Sequence, residues 1–259
     1  MPAFTANIAF LFADRPFLER IDAARAAGFD KVECHFPYDT PVEVLQGRLD
    51  AAGVRMTGLN TAPGDIRAGD WGLAALIGRE DEFEAGFQQA RAYAKALGAP
   101  MIHVMAGVIE PGARKQACRT YVRNIRRAAR AAAADGITLL LEPLNAHDRP
   151  GYLVSRSDHI ATLIREIGEP NVKLLFDAYH VQIMEGDLIR RIERHAPIIG
   201  HVQIAAVPSR AEPDEGEVAF PAVFDALRAN GYGGLIGLEY KPRGSTEEGL
   251  AWMERLGVR

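Results

Sequence analysis

Four side chains that can bind a metal ion or move a proton come at the ends of apolar segments in the second half of this 259-residue chain. Each segment has the composition of a buried β-strand, and the four residues are Glu142, Asp177, Gln203 and Glu239. A carboxylate at the end of a buried strand is costly to desolvate unless a cation or a hydrogen-bond donor meets it. Their repetition at the same place in successive units predicts one shared site.

The types of these side chains limit the chemistry of that site. Three carboxylates and one carboxamide are hard oxygen ligands, which suit Mg²⁺ or Mn²⁺ better than an ion that prefers thiolates. A carboxylate can also transfer a proton when burial and a nearby cation adjust its pKa. The cluster therefore predicts metal binding, acid–base chemistry, or both.

The elements that must position these residues follow from the alternation of short β-rich runs with longer segments of helical periodicity. The runs are mostly apolar without strict alternation, which is typical of a parallel sheet covered by helices on both faces. Six glycines follow helical segments at positions that favour a left-handed C-terminal cap; they are Gly28, Gly53, Gly98, Gly136, Gly168 and Gly231. The predicted strands are 5–12, 31–36, 55–61, 101–107, 138–145, 172–180, 200–206 and 234–241.

Eight βα units in a chain of this length predict the α/β class and a single (β/α)8 TIM barrel over residues 1–259. An open doubly wound sheet would need fewer strands or a second domain. In such barrels the chemistry lies at the C-terminal ends of the parallel strands. The four residues end strands five to eight, so they are expected to face one another.

Composition and charge narrow the class of protein. The chain is 48% apolar and 25% charged, and its net charge of −4 argues against a nucleic-acid partner and favours a small-molecule substrate. Neither an export signal nor a run long enough to span a membrane is visible, so a cytoplasmic protein without a membrane partner is expected. Cys34 and Cys118 are predicted to be reduced thiols. A homo-oligomer is compatible with the sequence.

Long stretches of the chain resemble the hydroxypyruvate isomerase family, which belongs to the xylose-isomerase-like barrel superfamily. They are LLLEPLN, FDAYHVQIMEGDL, IGHVQIAAVPSRAEPDEGEV and LIGLEYKPRGSTEEGLAWM, together with ANIAFLF near the start, FPYD at 36–39 and GREDEF at 78–83. The superfamily also contains ketose 3-epimerases and an apurinic endonuclease. The resemblance implies a TIM-barrel isomerase of hydroxypyruvate; isomerases of related 2-oxo acids, such as 2-oxotetronate, share the motifs.

The resemblance also implies roles for individual residues. Glu142 and Glu239 match the family's acid/base pair, and both match metal ligands along with Asp177 and Gln203. Gln203 stands where the sugar epimerases usually have a histidine, and this neutral oxygen donor favours Mg²⁺ or Mn²⁺ over zinc. His180, three residues after Asp177, resembles a histidine that contacts substrate oxygens.

A carboxylate on the substrate needs a cationic partner of its own. Arg210 resembles an arginine that reaches the substrate from the loop after strand seven, and a guanidinium can form two parallel hydrogen bonds with a carboxylate. Lys241, beside Glu239, is a competing cation. Arg210 and Lys241 are therefore both predicted to be substrate-binding residues.

Other polar and aromatic residues near the predicted strand ends have less specific roles. His103 at the end of strand four and His35 after strand two could line the same mouth, but each is better explained as a core histidine bonded to the backbone. The connection from residue 62 to 81 is long enough for a lid or a binding loop, and its Trp71 could exclude water. A surface loop with one packed aromatic side chain explains the connection equally well.

The implied reaction interconverts hydroxypyruvate and 2-hydroxy-3-oxopropanoate (tartronate semialdehyde) through an enediolate, with one proton leaving a carbon and another returning to its neighbour. A divalent metal would stabilise the negative charge on the enediolate oxygens. Glu142 and Glu239 would remove and return the protons, in an order that the sequence leaves open. A ketose 3-epimerase, a metal-dependent endonuclease of damaged DNA and a non-catalytic metabolite-binding barrel are the alternatives.

Overall fold

Eight parallel strands close into a barrel in the computed structural model, which describes residues 2–258. Each strand pairs with the next one along the chain, and the last pairs with the first. The prediction of a (β/α)8 TIM barrel is therefore confirmed. The strands are β1 (Ala3–Asn7), β2 (Lys31–Glu33), β3 (Arg55–Asn60), β4 (Met101–His103), β5 (Thr138–Leu141), β6 (Val172–Asp177), β7 (Ile199–Ile204) and β8 (Leu235–Leu238).

Helices pack against the barrel and against one another in sequence order. Gly53, Gly98 and Gly168 end three of them with φ values of 63°, 64° and 73°, as the left-handed caps require. Within residues 2–258, each helix is too short or too polar to cross a membrane. The α-helices are α1 (Phe17–Ala26), α2 (Val42–Ala52), α3 (Glu80–Leu97), α4 (Arg114–Ala133), α5 (Ser157–Ile167), α6 (Ala178–Met184), α7 (Leu188–His195), α8 (Phe220–Ala229), α9 (Thr246–Gly249) and α10 (Trp252–Arg255).

Most strands end earlier than their apolar sequence predicts. The first was predicted over 5–12 but ends at Asn7, although Ile8, Leu11 and Phe12 are fully buried in the turns that follow. The apolar runs continue because the loops at this end of the barrel pack against the core themselves. The sixth run ends in the same way, so that His180 lies in α6 rather than on a strand.

The register of the strands brings distant residues side by side. Asp177 on β6 pairs with Gln203 on β7, and Gln203 pairs in turn with Gly237 on β8. Asn7 on β1 pairs with Glu33 on β2. Polar side chains from both halves of the chain therefore meet at the C-terminal end of the barrel.

Candidate active site

A cavity of about 240 Å³ opens at the C-terminal ends of the strands. This volume lies below the range typical of pockets for drug-sized ligands, so the cavity suits a small metabolite. The side chains that line it include three carboxylates, a buried histidine, two guanidinium groups and an indole, in Glu142, Asp148, Glu239, His180, Arg149, Arg210 and Trp71.

Three of the predicted residues form a cluster that could hold a metal ion. Glu142, Asp177 and His180 each offer one ligand atom, and these atoms lie within 4.8 Å of one another. Glu142 directly follows β5, whereas Asp177 ends β6 and caps α6 by accepting a 2.8 Å hydrogen bond from the Tyr179 N–H. His180 is held in the first turn of α6. All three side chains are buried.

Unpartnered oxygen atoms occur in two of these residues and also in Gln203, which pairs with Asp177 on the neighbouring strand. Among the described residues, Glu142 Oε1, Asp177 Oδ2 and Gln203 Oε1 are buried and have no hydrogen-bond partner. A buried acceptor left without a partner costs about 1–3 kcal/mol, so such groups in native proteins are usually satisfied by water or an ion. Three hard oxygen atoms on neighbouring strands fit a divalent cation of the Mg²⁺ type.

Glu239 differs from these three residues because both of its oxygens already have partners. Arg210 Nη2 donates to Oε1 at 2.6 Å, and Asn7 Nδ2 donates to Oε2 at 2.9 Å. His35 Nε2 lies 3.5 Å from the same Oε2. The structure therefore places Glu239 at the same cavity as Glu142 but in an ion pair.

The environments of the carboxylates drive their pKa values apart. Burial, reinforced by the charges of Glu239 and Asp177, raises the pKa of Glu142 well above its usual value. Burial and Glu239 raise the pKa of Asp177 to about 7. Burial alone would also raise the pKa of Glu239, but the His35 hydrogen bond and the charges of His35 and Arg210 lower it to about 2. The same surroundings therefore shift Glu142 toward its protonated form and keep Glu239 ionised at neutral pH.

Arg210 is held rigidly at the edge of the cavity. Its guanidinium carbon lies 4.9 Å from the ring centres of both Phe10 and Tyr179, which adds two cation–π contacts to the ion pair with Glu239. Its Nε is buried and lacks a hydrogen-bond partner among residues 2–258. None of the described protein atoms accepts a hydrogen bond from this N–H.

Lys241 is not brought to the cavity. Its side chain is exposed and does not contribute to the cavity lining, whereas its backbone N–H donates to the Arg210 carbonyl at 2.7 Å. Of the two predicted cations, Arg210 alone faces Glu239. Gln203 lies next to the main cavity, in the lining of a smaller one.

The hydrogen bonds of His180 fix which ring nitrogen carries a proton. Nδ1 accepts from the Asn145 backbone N–H at 3.1 Å, so the neutral ring carries its proton on Nε2. Burial and the charge of Arg210 lower the pKa of His180 to about 3, which keeps the ring neutral. Nε2 lies 3.6 Å from Asp177 Oδ2 and 3.9 Å from Glu142 Oε1. In this tautomer Nε2 is a donor without a free lone pair, so a cation in this cluster would be held by the carboxylate oxygens and not by His180.

The expectation that His35 and His103 are core histidines bonded to the backbone is wrong. Both line the main cavity, where His35 approaches Glu239 and His103 Nδ1 lies 3.4 Å from Glu142 Oε2. Burial lowers the pKa of His103 to about 3, so that its ring is neutral. His35 follows β2 and His103 ends β4, both at the C-terminal end of the barrel, and this placement was the signal that could have identified them.

Arg149 was missed because it lies in the loop after β5 rather than at a strand end. Its guanidinium carbon is 3.5 Å from the ring centre of Trp71, and both side chains line the cavity. Stacking on an indole orients a guanidinium while leaving its edge free to donate hydrogen bonds. The long loop with Trp71 thus contributes directly to the site.

Known proteins resemble this chain over nearly its full length. A family model described as xylose isomerase-like TIM barrel matches residues 21–256. The chain is 46% identical over 255 residues to the 2-oxo-tetronate isomerase of Cupriavidus necator, with 98% of each protein covered. It is 39% identical to the hydroxypyruvate isomerase of Escherichia coli, covering 98% of this chain and 99% of that one. A crystal structure described as AP endonuclease, family 2, from Brucella melitensis matches with a TM-score of 0.96 and 44% identity, covering 98% and 99% of the two chains.

Proposed function

The chain belongs to the xylose isomerase-like TIM barrel family, and we propose that it is an isomerase that interconverts hydroxypyruvate and 2-hydroxy-3-oxopropanoate. One observation carries this proposal beyond the family: two buried carboxyl groups whose pKa values are shifted in opposite directions, Glu142 and Glu239, line one small cavity. A proton shift between neighbouring carbons needs one group that accepts a proton and another that donates one. Two carboxyl groups whose pKa values are driven apart supply that pair.

The substrate's carboxylate is recognised by guanidinium groups. Arg210 offers its unpartnered Nε–H, and Arg149 on Trp71 is a second cation in the cavity lining. An acid therefore fits this cavity better than a neutral sugar of similar size. His180 donates from Nε2 to a substrate oxygen, as its tautomer allows.

Arg210 links substrate binding to the basicity of Glu239. A carboxylate with a pKa of about 2 is a weak base, and the charge of Arg210 is among the causes of that low pKa. When the substrate's carboxylate also binds Arg210, the electrostatic attraction between Arg210 and Glu239 weakens. The pKa of Glu239 then rises. Glu239 then removes a proton from the carbon next to the carbonyl, and Glu142 returns one to the neighbouring carbon.

A divalent cation, Mg²⁺ or Mn²⁺, completes the proposal, with Glu142, Asp177 and Gln203 as the residues that hold it. Bound there, it would supply positive charge for the oxygens of the enediolate. Their three unpartnered oxygens support this ligand set. Glu239, predicted as a fourth ligand, can join them after Arg210 or Asn7 releases one of its oxygens.

Cation binding is expected to become tighter as the pH rises. Burial raises the pKa of Asp177 to about 7, so a cation must displace its proton at acidic pH. With a pKa of about 7 for Asp177, this residue alone should tighten the apparent Kd for Mn²⁺ on the order of 10-fold between pH 6 and pH 8. Titration calorimetry in two buffers of different ionisation enthalpy measures both the affinity and the protons released. A pH-independent Kd without proton release would contradict this ligand set.

Proton NMR of the purified protein tests the reaction itself. Hydroxypyruvate, 2-oxotetronate and a ketohexose are each incubated in deuterated buffer, with and without a chelator. We expect the hydroxymethylene signal of hydroxypyruvate to be lost as the aldehyde forms, with deuterium incorporated at the carbons involved. 2-Oxotetronate is the second candidate substrate, because a relative that is 46% identical carries that activity in its name. Turnover of the ketohexose alone would overturn the proposal in favour of an epimerase.

A DNA-cleaving role has weaker support. The arginines of α4 that could suggest a nucleic-acid surface form ion pairs with neighbouring elements, Arg123 with Glu80 and Arg127 with Glu84. The net charge of −4 also opposes binding to phosphates. Binding of duplex DNA at physiological salt would support the endonuclease alternative. If no substrate proton exchanged with solvent, a non-catalytic metabolite-binding barrel would be favoured instead.

A further inference from the structure

Four buried polar residues form a layer next to the main cavity. This inner polar layer consists of Asn7, Glu33, His201 and Gln203, which line a second cavity of about 20 Å³. That volume holds about one water molecule, so it is too small for a substrate. The two cavities share Asn60 and His103, and the layer therefore adjoins the site without being open to the substrate.

Glu33 is the centre of the layer because it accepts from the other three residues. Gln203 Nε2 donates to Glu33 Oε1 at 2.7 Å, and Asn7 Nδ2 reaches the same oxygen at 3.2 Å. His201 Nε2 lies 2.8 Å from Glu33 Oε2. A carboxylate can only accept hydrogen bonds, so each partner must turn a donor toward it.

The two ends of the Gln203 amide are nearly identical in shape and opposite in function. Its oxygen can bind a cation, whereas its NH₂ group would repel one. With Nε2 held by Glu33, Oε1 is the end left without a partner in the described part of the chain. Asn7 is oriented likewise: its Oδ1 accepts from the Ala9 N–H at 3.1 Å, and its Nδ2 bridges Glu33 and Glu239.

We propose that Glu33 is a positioning residue, which fixes the Gln203 amide with its oxygen toward the divalent cation and the Asn7 amide with its donor toward Glu239. This inference rests on the cation of the proposed function. Gly237 provides the space, since a Cβ there would lie 2.5 Å from Glu33 Oε1 and 2.8 Å from Gln203 Cγ. The barrel thus accommodates the contact between Glu33 and Gln203 at a position where any side chain would disrupt it.

The variant Glu33→Met tests the inference because it removes both acceptors while keeping much of the volume. The Gln203 amide can then turn, and we expect Mn²⁺ binding to weaken about 10- to 100-fold in titration calorimetry. Thr57→Val is the matched control, since it also removes a buried hydrogen-bonding group inside the barrel but touches Thr5 and Val32 instead. Its Kd for Mn²⁺ should equal that of the parent. Circular dichroism and the Tm without cation report whether each variant is folded.

The double variant Glu33→Met/Gln203→Glu shows whether Glu33 orients the Gln203 amide or only stabilises the fold. A carboxylate presents oxygen whichever way it turns, so this variant should bind Mn²⁺ within about threefold of the parent. Unchanged binding in Glu33→Met, or weak binding in both variants, would overturn the positioning role. If the parent binds Mn²⁺ and only Glu33→Met binds it equally well, the cation proposal stands and the positioning role of Glu33 fails. If the parent binds no Mn²⁺, both proposals fail.

A second measurement does not depend on the folding of Glu33→Met. In the ¹⁵N-labelled parent, the Gln203 side-chain NH₂ signal is identified by its loss in Gln203→Glu. We expect its protons to exchange with solvent more than about 100-fold more slowly than those of an exposed glutamine, because they are buried and bonded to Glu33. Mg²⁺ should shift the ¹⁵N resonance and leave this protection intact. Rapid exchange of the signal, or its appearance only after Mg²⁺ is added, would refute the proposed orientation.

Discussion

Replacing Glu239 by glutamine is expected to lower kcat for isomerisation by about 10²–10⁴-fold, the contribution typical of a positioned acid or base. Glutamine keeps the shape and can still accept from Asn7, but it cannot take up a proton. The Arg210 ion pair is lost as well, which leaves a buried cation near Glu142 and Asp177. Steady-state rates with hydroxypyruvate, followed by proton NMR, measure the effect.

Glu142→Gln should cause a loss of similar size for a different reason. The raised pKa of Glu142 suits it to donate a proton, so its replacement removes the proposed donor rather than the acceptor. Deuterium exchange distinguishes the two: the variant that retains the base should still exchange the substrate's proton with solvent. Glu193→Gln on the exposed face of α7 is the control, with an expected rate close to that of the parent. An active Glu142→Gln/Glu239→Gln double variant would rule out the glutamate pair.

Replacing Arg210 by methionine is expected to lower kcat/KM for hydroxypyruvate by about 10²–10³-fold, because one side chain serves both the substrate's carboxylate and Glu239. Arg210→Lys keeps the charge but lacks the planar pair of donors, so its kcat/KM for hydroxypyruvate should fall less than that of Arg210→Met. Lys241→Met is the informative comparison, since that side chain is exposed and outside the cavity lining. A larger loss in Lys241→Met than in Arg210→Met would reverse the assignment.

The pH profile of Arg210→Met tests the link to Glu239. In the parent, Glu239 has a pKa of about 2 and stays ionised throughout the usual assay range. The charge of Arg210 lowers this pKa, so its removal raises it, and Glu239 then becomes protonated as the pH falls. We expect an acidic limb in kcat/KM that lies at higher pH in Arg210→Met than in Arg210→Lys. Identical profiles in the two variants would show that Arg210 does not control Glu239.

The architecture could be predicted from local patterns because each βα unit repeats the same signals. Apolar runs, helical periodicity and glycine caps recur along the chain, and eight such units close in one way. The strand ends were predicted less well, since the loops at the mouth are as apolar as the strands and hydrophobicity does not distinguish them. Ile8 and Phe12 are examples, because both are fully buried outside β1.

The sequence by itself determined which polar residues converge, since strand order and the end of each strand place three carboxylates and one carboxamide at the same end of the barrel: Glu142, Asp177, Glu239 and Gln203. Only the tertiary structure decided how they differ. Glu239 meets Asn7, 232 positions away along the chain, and this contact exists because β8 closes against β1. The opposite pKa shifts of Glu142 and Glu239 arise from burial and from charges brought close in space, which no local pattern in the chain encodes.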